Sequence, residues 1–180
     1  MTLVLKVDEN ISLKHIELAD APAIFNTINS QREYLGKWLP FVKITRKVED
    51  TEKFIRSVIN TPQDQFEYTF IIQYKNNFAG VTGFRGTDRQ NKRTEIGYWL
   101  SEPLQNNGIV TKSVQKLCEF AFNELKVHRI QIRCAVDNHA SKGIPRRLGF
   151  KTEGIERDGE LLTNGQFTDL EVFSKLKNES

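Results

Sequence analysis

The sequence predicts an α+β fold in one domain, a mixed and mostly antiparallel sheet carrying helices. Three observations predict it. The strand-like runs FEYTFIIQY (66–74), FAGVTGFRG (78–86) and RTEIGYWL (93–100) follow one another, joined by the tight turn KNN and by TDRQNK, which makes an antiparallel meander. Directly after them Val110, Val114, Leu117, Cys118, Ala121, Phe122 and Leu125 recur at helical spacing, with Lys112, Gln115, Lys116, Glu119 and Asn123 opposite. The chain's 180 residues hold no repeat, low-complexity tract or linker, a length that suits one domain with a sizeable core.

The remaining elements fall on either side of the meander. ISLKHIEL (11–18) reads as a first strand. ADAPAIFNTINSQREYL (19–35) reads as a helix with Asp20 as N-cap and Pro22 in its first turn. After GKWLPF, a second helical pattern, EDTEKFIRSVIN (49–60), sets Phe54, Ile55, Val58 and Ile59 on one side. Beyond the amphipathic helix come a strand, RIQIRCAV (129–136), a short helix and exit, SKGIPRRLGF (141–150), and a strand, FKTEGIER (150–157). TNGQ (163–166) carries the Asn-Gly hairpin signal before a last strand, FTDLEVFSKL (167–176).

Composition narrows the function classes. Hydrophobic residues make up 38% and charged residues 27%, as in an ordinary soluble globular chain. No apolar run approaches the roughly 18–20 residues of a membrane span. The opening MTLVLKVDENISLK has no basic n-region and no small-residue cleavage site, so no signal peptide and a cytoplasmic location are expected. Cys118 and Cys134 lie in apolar stretches and read as reduced core thiols. A net charge of +3, densest at RQNKR (89–93), falls short of a nucleic-acid reader's basic stripe and suits a polyphosphate ligand or an acidic assembly. His15, His128 and His139 are scattered, and no spacing of His, Cys and carboxylates suggests a metal. No Ser-His-Asp or Cys-His grouping points to covalent catalysis.

The informative stretch is GYWLSEPLQNNGIVTKSVQKL (97–117), a strand, then Pro, two Asn and a Gly, then a helix. A helix start leaves about four backbone N–H groups unpaired and partly positive, and a glycine lets a ligand come close, so the turn is a phosphate cradle. No Lys-Ser/Thr pair follows the glycine as in a Walker A loop, and the G-x-G-x-x-G spacing is absent.

QNNGIV (105–110) resembles the Q/R-x-x-G-x-G/A loop of the Gcn5-related N-acetyltransferases. NHASKGIPRRLGF (138–150) resembles that superfamily's N-x-x-S-x-x-V-x-x-K-x-G-F segment at Asn138, Ser141, Gly149 and Phe150, with Ile144 and Arg147 as near substitutes. EIGYWL and YLGKWLPF (34–41) look like the RimJ/RimL group of ribosomal-protein N-acetyltransferases, and the resemblance runs over residues 11–176. It implies acetyl-CoA as co-substrate, lying in a V-shaped gap between two parallel central strands, RTEIGYWL and RIQIRCAV. Tyr98, Trp99 and Leu100 would then meet the pantetheine arm through main chain. The pyrophosphate would sit on the N–H groups of Gln105, Asn106, Asn107, Gly108, Ile109, Val110 and Thr111, with Asn138 bonding the arm.

The resemblance also implies roles. Glu160 is the first candidate for the amine's base and Glu95 the second, and Ser141 would hydrogen-bond the departing thiolate. Tyr34, Trp38 and Phe41 form an aromatic group that could shape the acceptor slot. The expected acceptor is the N-terminal α-amine of a protein, such as a ribosomal protein starting with Ser or Ala. The alternatives are a small amine (polyamine, aminoglycoside or toxin) and a non-catalytic acyl-CoA-binding regulatory module. Homodimers are common in the resembled group. Three departures stand out. Val110 occupies a Gly/Ala position, so its side chain must face away from the pyrophosphate. Asn106 and Asn107 replace basic residues, and Gly143 and Pro145 make the short helix irregular.

Overall fold

In the computed structural model, which describes residues 2–179, the meander forms the middle of an eight-stranded sheet. Its strands are β3 (Thr69–Tyr74), β4 (Asn77–Asp88) and β5 (Arg93–Leu100). Lys75 and Asn76, with φ of 49° and 64°, supply the left-handed pair that a two-residue hairpin turn between β3 and β4 requires. β1 (Val4–Lys6) and β2 (Ile11–His15) extend the sheet on one side. β6 (Arg129–Ala135), β7 (Lys151–Leu161) and β8 (Phe167–Leu176) extend it on the other. The spatial order is β1-β2-β3-β4-β5-β6-β8-β7, and every neighbouring pair is antiparallel except β5 with β6.

Helices cover both faces, so the central strands are apolar on both sides rather than alternating. On one face α4 (Ile109–Asn123) buries Ile109, Val114, Leu117, Ala121 and Phe122 against Leu13, Phe70, Ile72, Ile96, Ile130 and Ile132. On the other, α1 (Ala21–Ser30), α2 (Arg32–Gly36) and α3 (Val48–Ile59) bring Ile24, Ile28, Leu35 and Ile55 against Ile71 and Val81. β3 shows the period of two directly: Phe70 and Ile72 pack under α4, and Ile71 between them packs under α1 and α3. Each such side chain contributes about 1.5–3 kcal/mol through burial. α5 (His139–Arg147) follows β6 and lies beside the start of α4. Cys118 and Cys134 are buried free thiols. No helix among the described residues is long and apolar enough to cross a membrane.

The structure corrects several expectations. The strand read as 11–18 ends at His15, three-residue β1 was missed, and β7 continues to Leu161 instead of stopping at 157. The helix read as one piece over 19–35 breaks at Gln31 (φ −128°, ψ 32°). The Gln31 side chain donates to Ser101 Oγ at 2.8 Å and accepts from the Glu102 N–H at 2.9 Å, which ties the break to the loop leaving β5. Asp20 precedes α1 but does not cap it through its side chain: the carboxylate accepts from the Glu17 N–H at 2.8 Å and from Lys14 Nζ at 2.9 Å. In α3 the buried residues are Thr51 and Ile55, with Val58 half-buried, while Phe54 and Ile59 are exposed. At about 100° per residue, 51, 55 and 58 share the sheet-facing stripe, and 54 and 59 sit on its two flanks.

Candidate active site

β5 and β6 pair only over Arg93–Arg129, Thr94–Ile130 and Glu95–Gln131. Beyond that point β5 bonds only to β4, from Ile96 to Leu100, and β6 bonds only to β8, from Ile132 to Ala135. The two strands splay, and the main-chain groups of each that face the other are left without strand partners. A gap with one free strand edge on each wall accepts an extended, amide-bearing ligand by adding to the sheet.

The loop that closes the gap leads into a helix start with no side-chain cap. Asn106 and Gly108 both take positive φ, 64° and 69°, and Asn107 Nδ2 donates to the carbonyls of Leu104 and Gln105 at 3.1 and 3.0 Å. Gly108 is the N-cap of α4 and contributes no side-chain cap, and the first intrahelical bond of that turn is from the Lys112 N–H to the Gly108 carbonyl. The N–H groups of Ile109, Val110 and Thr111 therefore have no partner within the helix and carry its positive end. Val110 is 8% exposed and its side chain packs in the α4 core, as its β-branched shape demands.

Arg147, near the end of α5, was not recognised as a functional residue from the sequence. Its Nη2 donates to Thr111 Oγ1 at 3.1 Å, which brings a guanidinium to the α4 N-terminus and offsets the missing basic residues at 106 and 107. The side chain lies across Gly143: a Cβ there would come 2.8 Å from Arg147 Nη1. Gly143 leaves room for the guanidinium in this position, and the Lys position of the resembled motif was the signal that could have found the arginine.

Tyr98 ties the splayed walls together. Its hydroxyl donates to the Ser141 carbonyl at 3.0 Å and accepts from Ser141 Oγ at 3.2 Å, and Cys134 Sγ lies 3.2 Å from the same Oγ. Asn138 caps α5 by accepting the Ser141 N–H at 3.1 Å. Burial pushes the Tyr98 hydroxyl well above its ordinary pKa and raises the Cys134 thiol, so both remain protonated and the hydroxyl stays a donor.

One cavity of about 450 Å3 is lined by residues 98–100 of β5, residues 105–111, Asn138 and Ser141, which brings together nearly all of the expected site. Tyr34 and Trp38 form another part of its wall. The Tyr34 hydroxyl hydrogen-bonds Gln105 Nε2, and burial raises its pKa. Phe41 is separate: it lines a second cavity, on the α1–α3 side of β5. Glu95 lines neither cavity. Both its oxygens are engaged, one by Arg85 (Nε at 2.9 Å, and Nη2) and the other by Arg133 Nε at 2.8 Å, so it joins β4, β5 and β6 where the gap closes. Glu160 also lies outside both linings, half-buried on β7 opposite Thr168, with no hydrogen bond or ion pair among the described residues. Its hairpin is held toward the aromatic wall, for Thr163 Oγ1 donates to the Gly36 carbonyl at 2.7 Å. No group of three or more His, Cys, Asp or Glu residues that could hold a metal occurs among the described residues.

The chain matches the acetyltransferase (GNAT) domain family over residues 10–151. It is similar to the ribosomal-protein-serine acetyltransferase of Escherichia coli (strain K12), 28% identical over 176 residues covering 98% of each chain. Among solved structures it is similar to RimL, a ribosomal L7/L12 alpha-N-protein acetyltransferase in complex with coenzyme A, with TM-score 0.93, 28% identity and coverage of 99% of this chain and 100% of that one. It is also similar to the microcin C7 self immunity acetyltransferase MccE in complex with acetyl-CoA and AMP, with TM-score 0.89, 32% identity and coverage of 96% and 95%.

Proposed function

Because the chain belongs to the acetyltransferase (GNAT) domain family and is an acetyl-CoA-dependent N-acetyltransferase, we propose that its acceptor is the N-terminal α-amine of a protein, a ribosomal protein beginning with Ser or Ala. The observation that carries this is the end-to-end likeness to RimL, which takes in α1, α2 and the β7–β8 hairpin as well as the gap. The same reading puts the enzyme in the cytoplasm, with ribosomes and acetyl-CoA. The regulatory-module alternative loses its main support, since Val110 turns its side chain into the core and Arg147 restores positive charge at the cradle. The small-amine alternative keeps two: the MccE likeness, and a partial one to the spermidine N(1)-acetyltransferase of Escherichia coli (strain K12), 26% identical over 104 residues covering 58% of this chain and 55% of that one.

We assign the pyrophosphate to the N–H groups of 108–111 with Arg147 and the Thr111 hydroxyl, and the pantetheine arm to the β5 edge at Tyr98–Leu100 and to Asn138. A free α-amine has a pKa of about 7.7–8.0, so a carboxylate or ordered water needs to take its proton only as the nitrogen attacks. Glu160, whose carboxylate has no other partner, takes that proton; Glu95 is committed to two arginines. As the carbon–sulfur bond breaks, Ser141 Oγ donates to the sulfur. The main-chain N–H at the open end of β5 stabilises the oxyanion.

CoA release with free and N-blocked Ser- and Ala-started peptides, spermidine and an aminoglycoside tests the acceptor. Release only with unblocked peptides is expected; release only with the small amines overturns the proposal. With the preferred peptide, Glu160→Gln lowers kcat by about 10²-fold and leaves acetyl-CoA affinity unchanged. A wild-type rate removes Glu160 from the mechanism.

Two copies are proposed to associate through β7. It is the outermost strand, residues 151–158 are exposed on both its faces, and Ile155, Leu161 and Phe167 on its hairpin are exposed apolar side chains. A long free edge of this kind invites strand pairing, with its exposed apolar side chains set among charged ones. Sedimentation velocity should show a dimer that Ile155→Lys converts to monomers, and a monomeric wild type removes the proposal.

A further inference from the structure

We propose that the second cavity receives an apolar side chain beside the reacting amine, so that the enzyme selects peptide N-termini with an aliphatic or aromatic second residue. The inference rests on the reading of the acceptor as a peptide α-amine. The cavity measures about 640 Å3 and lies between α1, α3 and the β4–β5 face. It shares Leu39, Tyr98 and Trp99 with the cofactor gap, so the β5 main chain is the partition between them. An amine approaching the thioester from that face has this space beside it.

The chemistry of the walls names the occupant. Ile24, Ile28 and Val81 are buried at its floor, while Ile44 and Phe54 stand at its rim, 73% and 47% exposed. Two large apolar side chains held in water at the rim of an apolar hollow mark a recognition surface rather than a core. Asp50 is the one carboxylate in the lining, and it accepts the main-chain N–H groups of Arg46 and Lys47 at 3.0 and 3.2 Å, capping α3. Arg85 is paired with Glu95, and Lys53 adds a further positive charge. Against that single carboxylate stand the positive charges of Lys53 and Arg85, so the lining offers a polycation no net negative charge. One buried polar group lacks a partner: Thr51 Oγ1, in a residue 3% exposed, makes no hydrogen bond among the described residues. A buried hydroxyl left unpaired is disfavoured.

The test is kcat/KM, by CoA release, for Ser-Leu-, Ser-Phe-, Ser-Asp- and Ser-Lys-started peptides otherwise identical, with spermidine alongside. The apolar second residues should exceed the charged ones by about tenfold, the scale of a hydrophobic pocket contact. Phe54→Asp should lower kcat/KM for Ser-Phe by about tenfold and for Ser-Asp and Ser-Lys by less than about threefold, with acetyl-CoA affinity unchanged. Ile44→Asp, at a more exposed position, repeats the test should the Phe54 variant unfold. Equal rates for all four peptides, or an equal loss for all of them in the variants, overturn the inference and leave the peptide reading standing. Turnover of spermidine with none of the peptides overturns both.

Discussion

Replacing Ser141 by alanine is expected to lower kcat by about 10²-fold while acetyl-CoA affinity stays within about threefold of wild type, the signature of a proton donor rather than a binding group. The structure explains why the two effects separate. Tyr98 donates to the Ser141 carbonyl across the gap, and Asn138 caps α5 by accepting the Ser141 N–H, and neither of these bonds uses the hydroxyl. Alanine therefore keeps the walls where they are and removes only the Oγ that stands 3.2 Å from both Tyr98 Oη and Cys134 Sγ. Tyr98 Oη does not take over the role while its proton is committed to the Ser141 carbonyl at 3.0 Å. Single-turnover CoA release together with equilibrium binding measures the split. A wild-type kcat removes Ser141 from thiolate protonation, and a matching loss of affinity makes it a structural cap.

Gly108→Val is expected to weaken acetyl-CoA binding by about 10-fold to 10²-fold and to lower Tm by about 2–8 °C, since a side chain at left-handed φ costs about 1–2 kcal/mol, more when β-branched. A Cβ on Gly108 would meet nothing within 4 Å, so the free protein has room for it, and the cost falls on the φ of 69° and on the cradle that this φ shapes. Gly108→Asn is the informative companion, because asparagine tolerates that backbone. Calorimetric titration with acetyl-CoA should show the asparagine variant also weakened if a ligand passes close to this carbon, and intact if only the conformation matters. Wild-type affinity in the valine variant refutes the placement of the pyrophosphate at 108–111.

Much of this site was legible because it is made of contiguous segments. The cradle is one loop and the helix that follows it, so Gly108, the absent cap and the amphipathic register of α4 could all be read from residues 105–125. The β5 boundaries, Arg93 and Leu100, follow from an apolar run flanked by a polar turn and a Ser-Glu-Pro exit. Where several segments meet, the sequence does not show which side chains come together. Tyr34, Trp38 and Phe41 look like one aromatic group in sequence, but Phe41 lines a different cavity from the other two. Glu95 looks like a free strand carboxylate until Arg85 and Arg133 arrive from the strands on either side.

What the sequence by itself determined is the α+β class, the meander, the uncapped glycine start of α4 and, through the resemblance, the acetyl-CoA chemistry. Each of these depends on periodicity, turn chemistry or helix-end donors, whose causes act within a few residues. Only the tertiary structure decided where the helix breaks at Gln31, that Arg147 serves the cradle, that Glu95 is spent on ion pairs, and that a second cavity opens behind β5. The physical reason is that ion pairs, cross-gap hydrogen bonds and cavities arise between segments far apart in the chain. Their distances are set by how α4 and the α1–α3 layer pack on the two faces of one sheet.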